Sequence, residues 1–163
     1  MPMTTRAPRD ACSLLDADHR AVKKMFKEYE SLMESRSKAA ATQRFELARQ
    51  ICRELTVHAQ IEEEIFYPAM REALKDTDLI AEAEVEHASA KDLIAQIEAA
   101  DAADEMFDAK VTVLGEYIDH HVKEERNEIF PKARAARKLD LVAMRETLQA
   151  RKEELMAGEE AMA

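Results

Sequence analysis

The sequence predicts an all-α chain: an up-and-down antiparallel four-helix bundle with an additional C-terminal helix. Three observations predict it. The 163 residues include only two glycines and four prolines, so few positions break a helix. Apolar residues at 47% beside charged residues at 36% suit amphipathic helices, each with one buried stripe and one densely charged face. Apolar side chains recur at steps of three and four in four long stretches joined by short links, which makes successive helices antiparallel neighbours. An all-β fold would need many more turn residues.

The elements follow in order. Residues 1–10, with Pro2 and Pro8, read as a disordered leader. The first helix is expected from Ala11 to Met33, with an inner stripe of Leu15, His19, Val22, Phe26, Tyr29 and Met33. The polar and small stretch SRSKAAATQ then connects to a second helix starting near Thr42. That helix carries Phe45, Leu47, Ala48, Ile51, Leu55, His58, Glu62 and Ile65, and Pro68 is expected to kink or end it before a short continuation to Leu74. Asp76 or Asp78 is a candidate N-cap for a third helix over about Thr77–Ala99, whose stripe is Ile80, Ala83, His87, Ala90, Ile94 and Ile97. After the acidic link DAAD, a fourth helix runs from about Glu105 to Phe130, with Phe107, Val111, Leu114, Ile118, His121, Glu125 and Ile129 inward. Pro131 is expected to close or kink it. A fifth amphipathic helix is expected over about Leu139–Met156. The division is thus a leader at 1–10, a bundle at 11–135 and a C-terminal helix packed on it at 136–163.

Composition excludes several classes of function. A net charge of −10 lacks the basic stripe that nucleic acid requires and disfavours anionic membrane surfaces. No run approaches the roughly 18 apolar residues of a membrane span, and the N-terminal stretch has no apolar signal core of the usual kind. A cytoplasmic location is the resulting expectation. Cys12 and Cys52 are too few for a disulfide scaffold and read as reduced thiols, Cys52 as a small core residue.

One internal echo carries the chemistry. Residues 58–68 read HAQIEEEIFYP and residues 121–131 read HVKEERNEIFP. In each, a His is followed by a Glu four positions on and by an aromatic directly before Pro. Residues four apart on a helix lie about 400° round it, a net 40°, so each pair projects from one face and can give an imidazole nitrogen and a carboxylate oxygen to one metal centre. His120 with Glu124 is a second such pair. His121 is preferred because it continues the Leu114, Ile118, Glu125, Ile129 stripe and matches the spacing of His58 to Pro68; His120 is read as a surface residue or a support of the site.

Depth in the bundle joins these pairs to His19 and His87. With the first connection centred near residue 39, His19 lies 20 residues before it and His58 19 after it. Glu62 and His87 flank the turn near 76, and His87 and His121 flank the turn near 102, with offsets of about a turn or less at about 1.5 Å per residue. All four helices therefore bring an inward His to one layer. Carboxylates buried in an apolar interior are costly unless paired or bound to metal. A buried His–Glu hydrogen-bond network is the plain alternative; six such residues in one layer favour cations.

The donor set of His19, His58, Glu62, His87, His121 and Glu125 offers four nitrogens and two carboxylates without thiolate. It is too large for one zinc and too rich in nitrogen for calcium or magnesium, and it suits iron among other first-row metals. The natural division is two metals, one on His19 and His58 and the other on His87 and His121, with Glu62 and Glu125 bridging and an oxide or hydroxide completing the core.

The order H…HxxxE…H…HxxxE, read here as His19, His58–Glu62, His87 and His121–Glu125 and followed by Tyr67-Pro68 and Phe130-Pro131, resembles the hemerythrin-like (HHE cation-binding) family over about residues 12–135. The resemblance implies a four-helix bundle with two iron ions in an oxo- or hydroxo-bridged centre that binds O2, NO or peroxide. The family's oxygen carriers have a fifth histidine four residues after the third-helix histidine; that position is Lys91 here. Their second carboxylate is an Asp five residues after its His, where this chain has Glu125 at four. The expected consequence is five ligands per iron and an open position on both, which favours peroxide chemistry or NO binding over plain oxygen carriage. Tyr117 and Tyr67 are read as packing or hydrogen-bonding residues, and one of Glu63, Glu64, Glu84 or Glu86 could orient an imidazole. The alternatives are iron storage or delivery, sensing of NO or redox state without turnover, and a structural bundle acting by protein contact. Ferritin-like chemistry fits less well, since those bundles use Glu and Glu-x-x-His.

Overall fold

The computed structural model describes residues 9–162, and all of its regular structure among them is helical. Helix α1 spans Ala11–Met33, with Asp10 as its N-cap accepting from the Ser13 amide. Of the expected leader, residues 1–8 lie outside the described residues. Met33, placed in the inner stripe by spacing, is 39% exposed at the helix end, and Phe26 is half-buried.

Helix α2 spans Lys38–Ile61 and begins four residues earlier than expected from sequence. Ser37 accepts from the Ala40 amide as an N-cap, and the Lys-Ala-Ala-Ala run behind it is strongly helix-forming, so the connection is only four residues long. Pro68 does not break the chain's course. A π-helical turn at Glu62–Phe66 leads straight into α3, Tyr67–Ala73. Proline cannot donate to the ladder, and its ring clashes with the carbonyl four residues back. The wider turn relieves that clash, with the Tyr67 amide bonding to the carbonyl of Glu62 five residues back.

Helix α4 spans Asp78–Glu98 and buries the six stripe residues that its periodicity marks. Its N-cap is Thr77, neither aspartate; Asp76 instead accepts from the Asp78 amide. Helix α5, Glu105–Glu124, is capped by Asp104 and runs into a second π-helical turn at Glu125–Ile129 and then α6, Phe130–Ala135. Pro131 is absorbed in the same way as Pro68: the Phe130 amide bonds to the Glu125 carbonyl. Helix α7, Leu141–Met162, packs across α1, α2 and the first π-helical turn.

The four long arms pack in a ring, α1 on α2, α2 on α4, α4 on α5 and α5 on α1, as an up-and-down bundle requires. The core has two apolar clusters. One holds Ile61, Phe66, Tyr67, Met70, Ile129 and Phe130 under α7; the other holds Val22, Leu55, Ile94, Leu114 and their neighbours. Four histidines and two glutamates lie between them. Cys12 and Cys52 are buried free thiols, each pushed up to about 12 by burial. No helix among the described residues is long and apolar enough to cross a membrane.

Candidate metal centre

The structure brings His19, His58, Glu62, His87, His121 and Glu125 into one buried layer, each no more than 8% exposed. The histidines form two pairs. The Nε2 atoms of His19 and His58 are 3.1 Å apart, and those of His87 and His121 are 3.2 Å apart. Two nitrogens bound to one metal at about 2.1 Å and at right angles lie about 3.0 Å apart, so each pair has ligand spacing.

The glutamates cross-link the pairs. Oε1 of Glu62 is 3.0 Å from Nε2 of His58 and 3.4 Å from Nε2 of His87. Oε1 of Glu125 is 2.9 Å from Nε2 of His121 and 3.3 Å from Nε2 of His19. Each carboxylate therefore touches one histidine of each pair. These approaches lack hydrogen-bond direction: all four carboxylate oxygens are buried without a hydrogen-bond partner. Two fully buried, unpartnered carboxylates demand cations. The atoms fall into two groups able to hold an ion, His19 with His58 and Glu125, and His87 with His121 and Glu62.

The outer faces of the imidazoles strengthen this fit. Nδ1 of His19 faces Asp16 at 3.3 Å, that of His58 faces Asp18 at 3.0 Å, that of His87 faces Glu63 at 3.3 Å and that of His121 faces Glu86 at 2.9 Å. A carboxylate holds the proton on Nδ1 and leaves the Nε2 lone pair pointing inward, the arrangement of a ligating histidine. Of these four carboxylates, Glu63 and Glu86 were among the candidates in the sequence; Asp16 and Asp18 were not. Asp16 sits one turn before His19, a spacing that offered a signal. Asp18 reaches His58 on another helix, which no local spacing reports.

The electrostatics agree. Burial alone would hold the imidazoles neutral, but the carboxylates outweigh it and all four are raised, His58 strongly and His121 to about 10. Burial pushes Glu62 up, yet His58 and the other partners hold it well below the usual carboxylate range. Positive charge belongs in this layer, as protons in the metal-free chain or as metal.

Tyr67 also reaches the site. Its hydroxyl is 3.3 Å from Nε2 of both His87 and His121, and burial followed by the Glu125 and Glu62 charges holds the phenol well above its ordinary value. Tyr117 is 47% exposed and only lines the adjacent cavity. His120 is exposed and pairs with Glu124. Lys91, at the carriers' fifth-histidine position, points outward to Glu63.

The model of the Hemerythrin HHE cation binding domain matches residues 10–133. The chain belongs to the hemerythrin HHE cation-binding family. A hemerythrin HHE cation binding domain-containing protein from Mycobacterium kansasii, solved as a crystal structure, superposes on this HHE chain with a TM-score of 0.74 at 22% identity, over 91% of this chain and 88% of that one, and so shares its fold. No curated protein matches the chain significantly. As an HHE-family member the chain is a cation-binding helical protein, and its two fully buried His/Glu groups are where a cation fits best; a third group, Glu86 with His121 and Glu124, is only partly buried.

Beside the site lies a small cavity of about 40 Å³. The four histidines line it together with Val22, Leu55, Ala90, Ile94 and Ile118. It has room for a small ligand beside the histidines.

Proposed function

We propose that the chain is a non-haem di-iron protein that binds O2, NO or peroxide. His19 and His58 would hold one iron, His87 and His121 the other, with Glu62 and Glu125 bridging under an oxo or hydroxo group. The observation that carries this reading is the crossing of each buried carboxylate between the two histidine pairs. One metal could not use both pairs, and a hydrogen-bond network would not leave both carboxylates unpartnered.

Iron at this place would supply redox chemistry and small-ligand binding. The chain's own residues do the rest. Asp16, Asp18, Glu63 and Glu86 orient the imidazoles. Val22, Leu55, Ala90, Ile94 and Ile118 give the cavity beside the histidines largely apolar walls. The Tyr67 hydroxyl can hold a proton beside the His87–His121 pair. The two halves of the site are therefore unlike: the His87–His121 half has a phenol at hand and the His19–His58 half does not.

Metal analysis of protein produced in iron-rich medium tests the reading, with about two irons per chain expected. Less than one iron per chain, with no near-ultraviolet ligand-to-metal bands, would sink it. Oxygen evolution on adding peroxide would assign peroxide decomposition to the centre; a spectral change of the reduced protein with NO, without such turnover, would assign binding or sensing.

A further inference from the structure

The residues that match the family end at 133, and α7 begins at Leu141, beyond them. One of its contacts nevertheless reaches one half of the site. Leu148 is fully buried against the cluster that holds Ile61 and Phe66. The guanidinium of Arg151 takes Glu64 of the first π-helical turn with both arms, Nε to Oε2 at 2.8 Å and Nη2 to Oε1 at 3.2 Å. Lys152 donates from Nζ to Oδ1 of Asp18, while the other oxygen of Asp18 takes Nδ1 of His58 at 3.0 Å.

The four carboxylates behind the histidines are completed differently. Asp16 is met by Arg126 and Arg20, and Glu63 by Lys91, all from within the bundle. Glu86 lies against Glu124. Asp18 receives its cation from α7. With Lys152 in place, the two oxygens of Asp18 have separate tasks and its carboxylate cannot rotate away from His58. Without it, a carboxylate that is nearly buried has one partner and is drawn toward water.

Resting on the di-iron reading above, we propose that Lys152 is a positioning residue for the metal centre. It fixes Asp18, Asp18 fixes the tautomer and direction of His58, and the seating of α7 thereby sets how firmly the metal at His19 and His58 is held. Partners one layer behind a ligand are worth about 10–100-fold in metal affinity. Lys152 acts through such a partner, so the low end of that range is expected.

The test uses the full chain loaded with ferrous iron without oxygen and challenged with a chelator. Lys152→Met should release iron about tenfold faster than wild type. Lys152→Arg should restore retention. Asp18→Asn should release iron faster, and adding Lys152→Met to it should change nothing further, because Lys152 then has no carboxylate to act through. Loss of stability alone would instead lower the metal-free melting temperature, escape rescue by Arg and add to Asp18→Asn. That pattern, or wild-type retention in Lys152→Met, overturns this inference and leaves the di-iron reading standing. A wild-type chain that takes up no iron overturns both.

Discussion

Tyr67 and Phe130 stand at equivalent places, nine residues after His58 and His121, and they face opposite halves of the site. The Tyr67 hydroxyl is 3.3 Å from Nε2 of His87 and of His121, whereas the Phe130 ring stacks on His19 with centroids 6.0 Å apart. The internal echo thus builds a near-symmetric site, and Tyr67 puts a polar group on one half where the other has a phenyl ring. Tyr67→Phe is expected to keep two irons and to shift the visible spectrum of the oxidised, iron-loaded protein, by removing a phenol at hydrogen-bond distance from two of the candidate ligands. Tyr117→Phe should leave that spectrum unchanged. Identical spectra for Tyr67→Phe and wild type would reduce Tyr67 to packing.

Glu62 and Glu125 each touch one histidine of each pair. If they bridge, neither metal keeps its partner when one is cut back. Glu62→Ala or Glu125→Ala should lower bound iron from two per chain to one or fewer, read by metal analysis of the purified protein. His120→Ala, on an exposed side chain outside the layer, should leave two. Full loading of both glutamate variants would count against bridging.

The fold and the convergence of six residues were legible because both rest on α-helical period and on depth. The depth arithmetic worked despite a wrong turn centre. The first connection sits between Met33 and Lys38, so His19 is 14 residues before it and His58 20 after it. Side chains lean toward the N-terminus of their own helix. In antiparallel neighbours that lean carries His19 away from the connection and His58 toward it, and the imidazoles meet. Tyr67 is read from sequence as a packing or hydrogen-bonding residue, and its hydroxyl does lie at hydrogen-bond distance from two histidines, but helical period alone does not bring it there. At α-helical spacing it lies about 180° from His58 and about 140° from Glu62. The π-helical turn takes up the extra residue and rotates Tyr67 into the site, and Pro68 announces a disturbance of the helix without stating that remedy. Nor could sequence pair Asp18 with His58 and Lys152, since those contacts join three helices.

The raised imidazoles give the metal-free and metal-loaded proteins opposite responses to pH. Groups raised above their unfolded value of about 6.5 stabilise the fold fully below that pH and lose the contribution as pH rises through the folded value, about 10 for His121. The melting temperature of the metal-free protein should therefore fall between about pH 6.5 and 10. Metal needs those nitrogens bare, so uptake at pH 8 should release protons into a weakly buffered solution, and the loaded protein should lose metal on acidification. Ordinary histidines would release almost no proton at pH 8, and that result would contradict the assignment.

At the far end of the bundle, Asp108 joins α5 to α1 and α2. It accepts from the Tyr29 hydroxyl at 2.6 Å and from Nε of Arg44 at 3.1 Å, and Arg44 also donates to the carbonyls of Leu32, Ser35 and Ala103. Asp108→Ala leaves a buried guanidinium without its counter-charge, a change that costs about 3 kcal/mol. Denaturant unfolding should show that loss, while iron per folded chain stays at the wild-type value because the network lies away from the histidine layer. A loss of iron in proportion to stability would show that the two ends of the bundle are coupled.

The cavity beside the histidines tests ligand access separately from metal binding. Ala90 lines it from α4 and is 9% exposed, and its side chain touches no ligand group through a polar atom. Ala90→Val adds two methyl groups to a space of about 40 Å³. Overpacking of this size costs about 1–3 kcal/mol, here against any molecule that must share the space. The variant should retain two irons, since all six candidate ligands are untouched, and bind NO about tenfold or more weakly than wild type, at about 1.4 kcal/mol per factor of ten. Unchanged NO affinity with full iron loading would mean that ligands reach the centre from another side, with the groove between α1 and α5 that also reaches His19 as the alternative route.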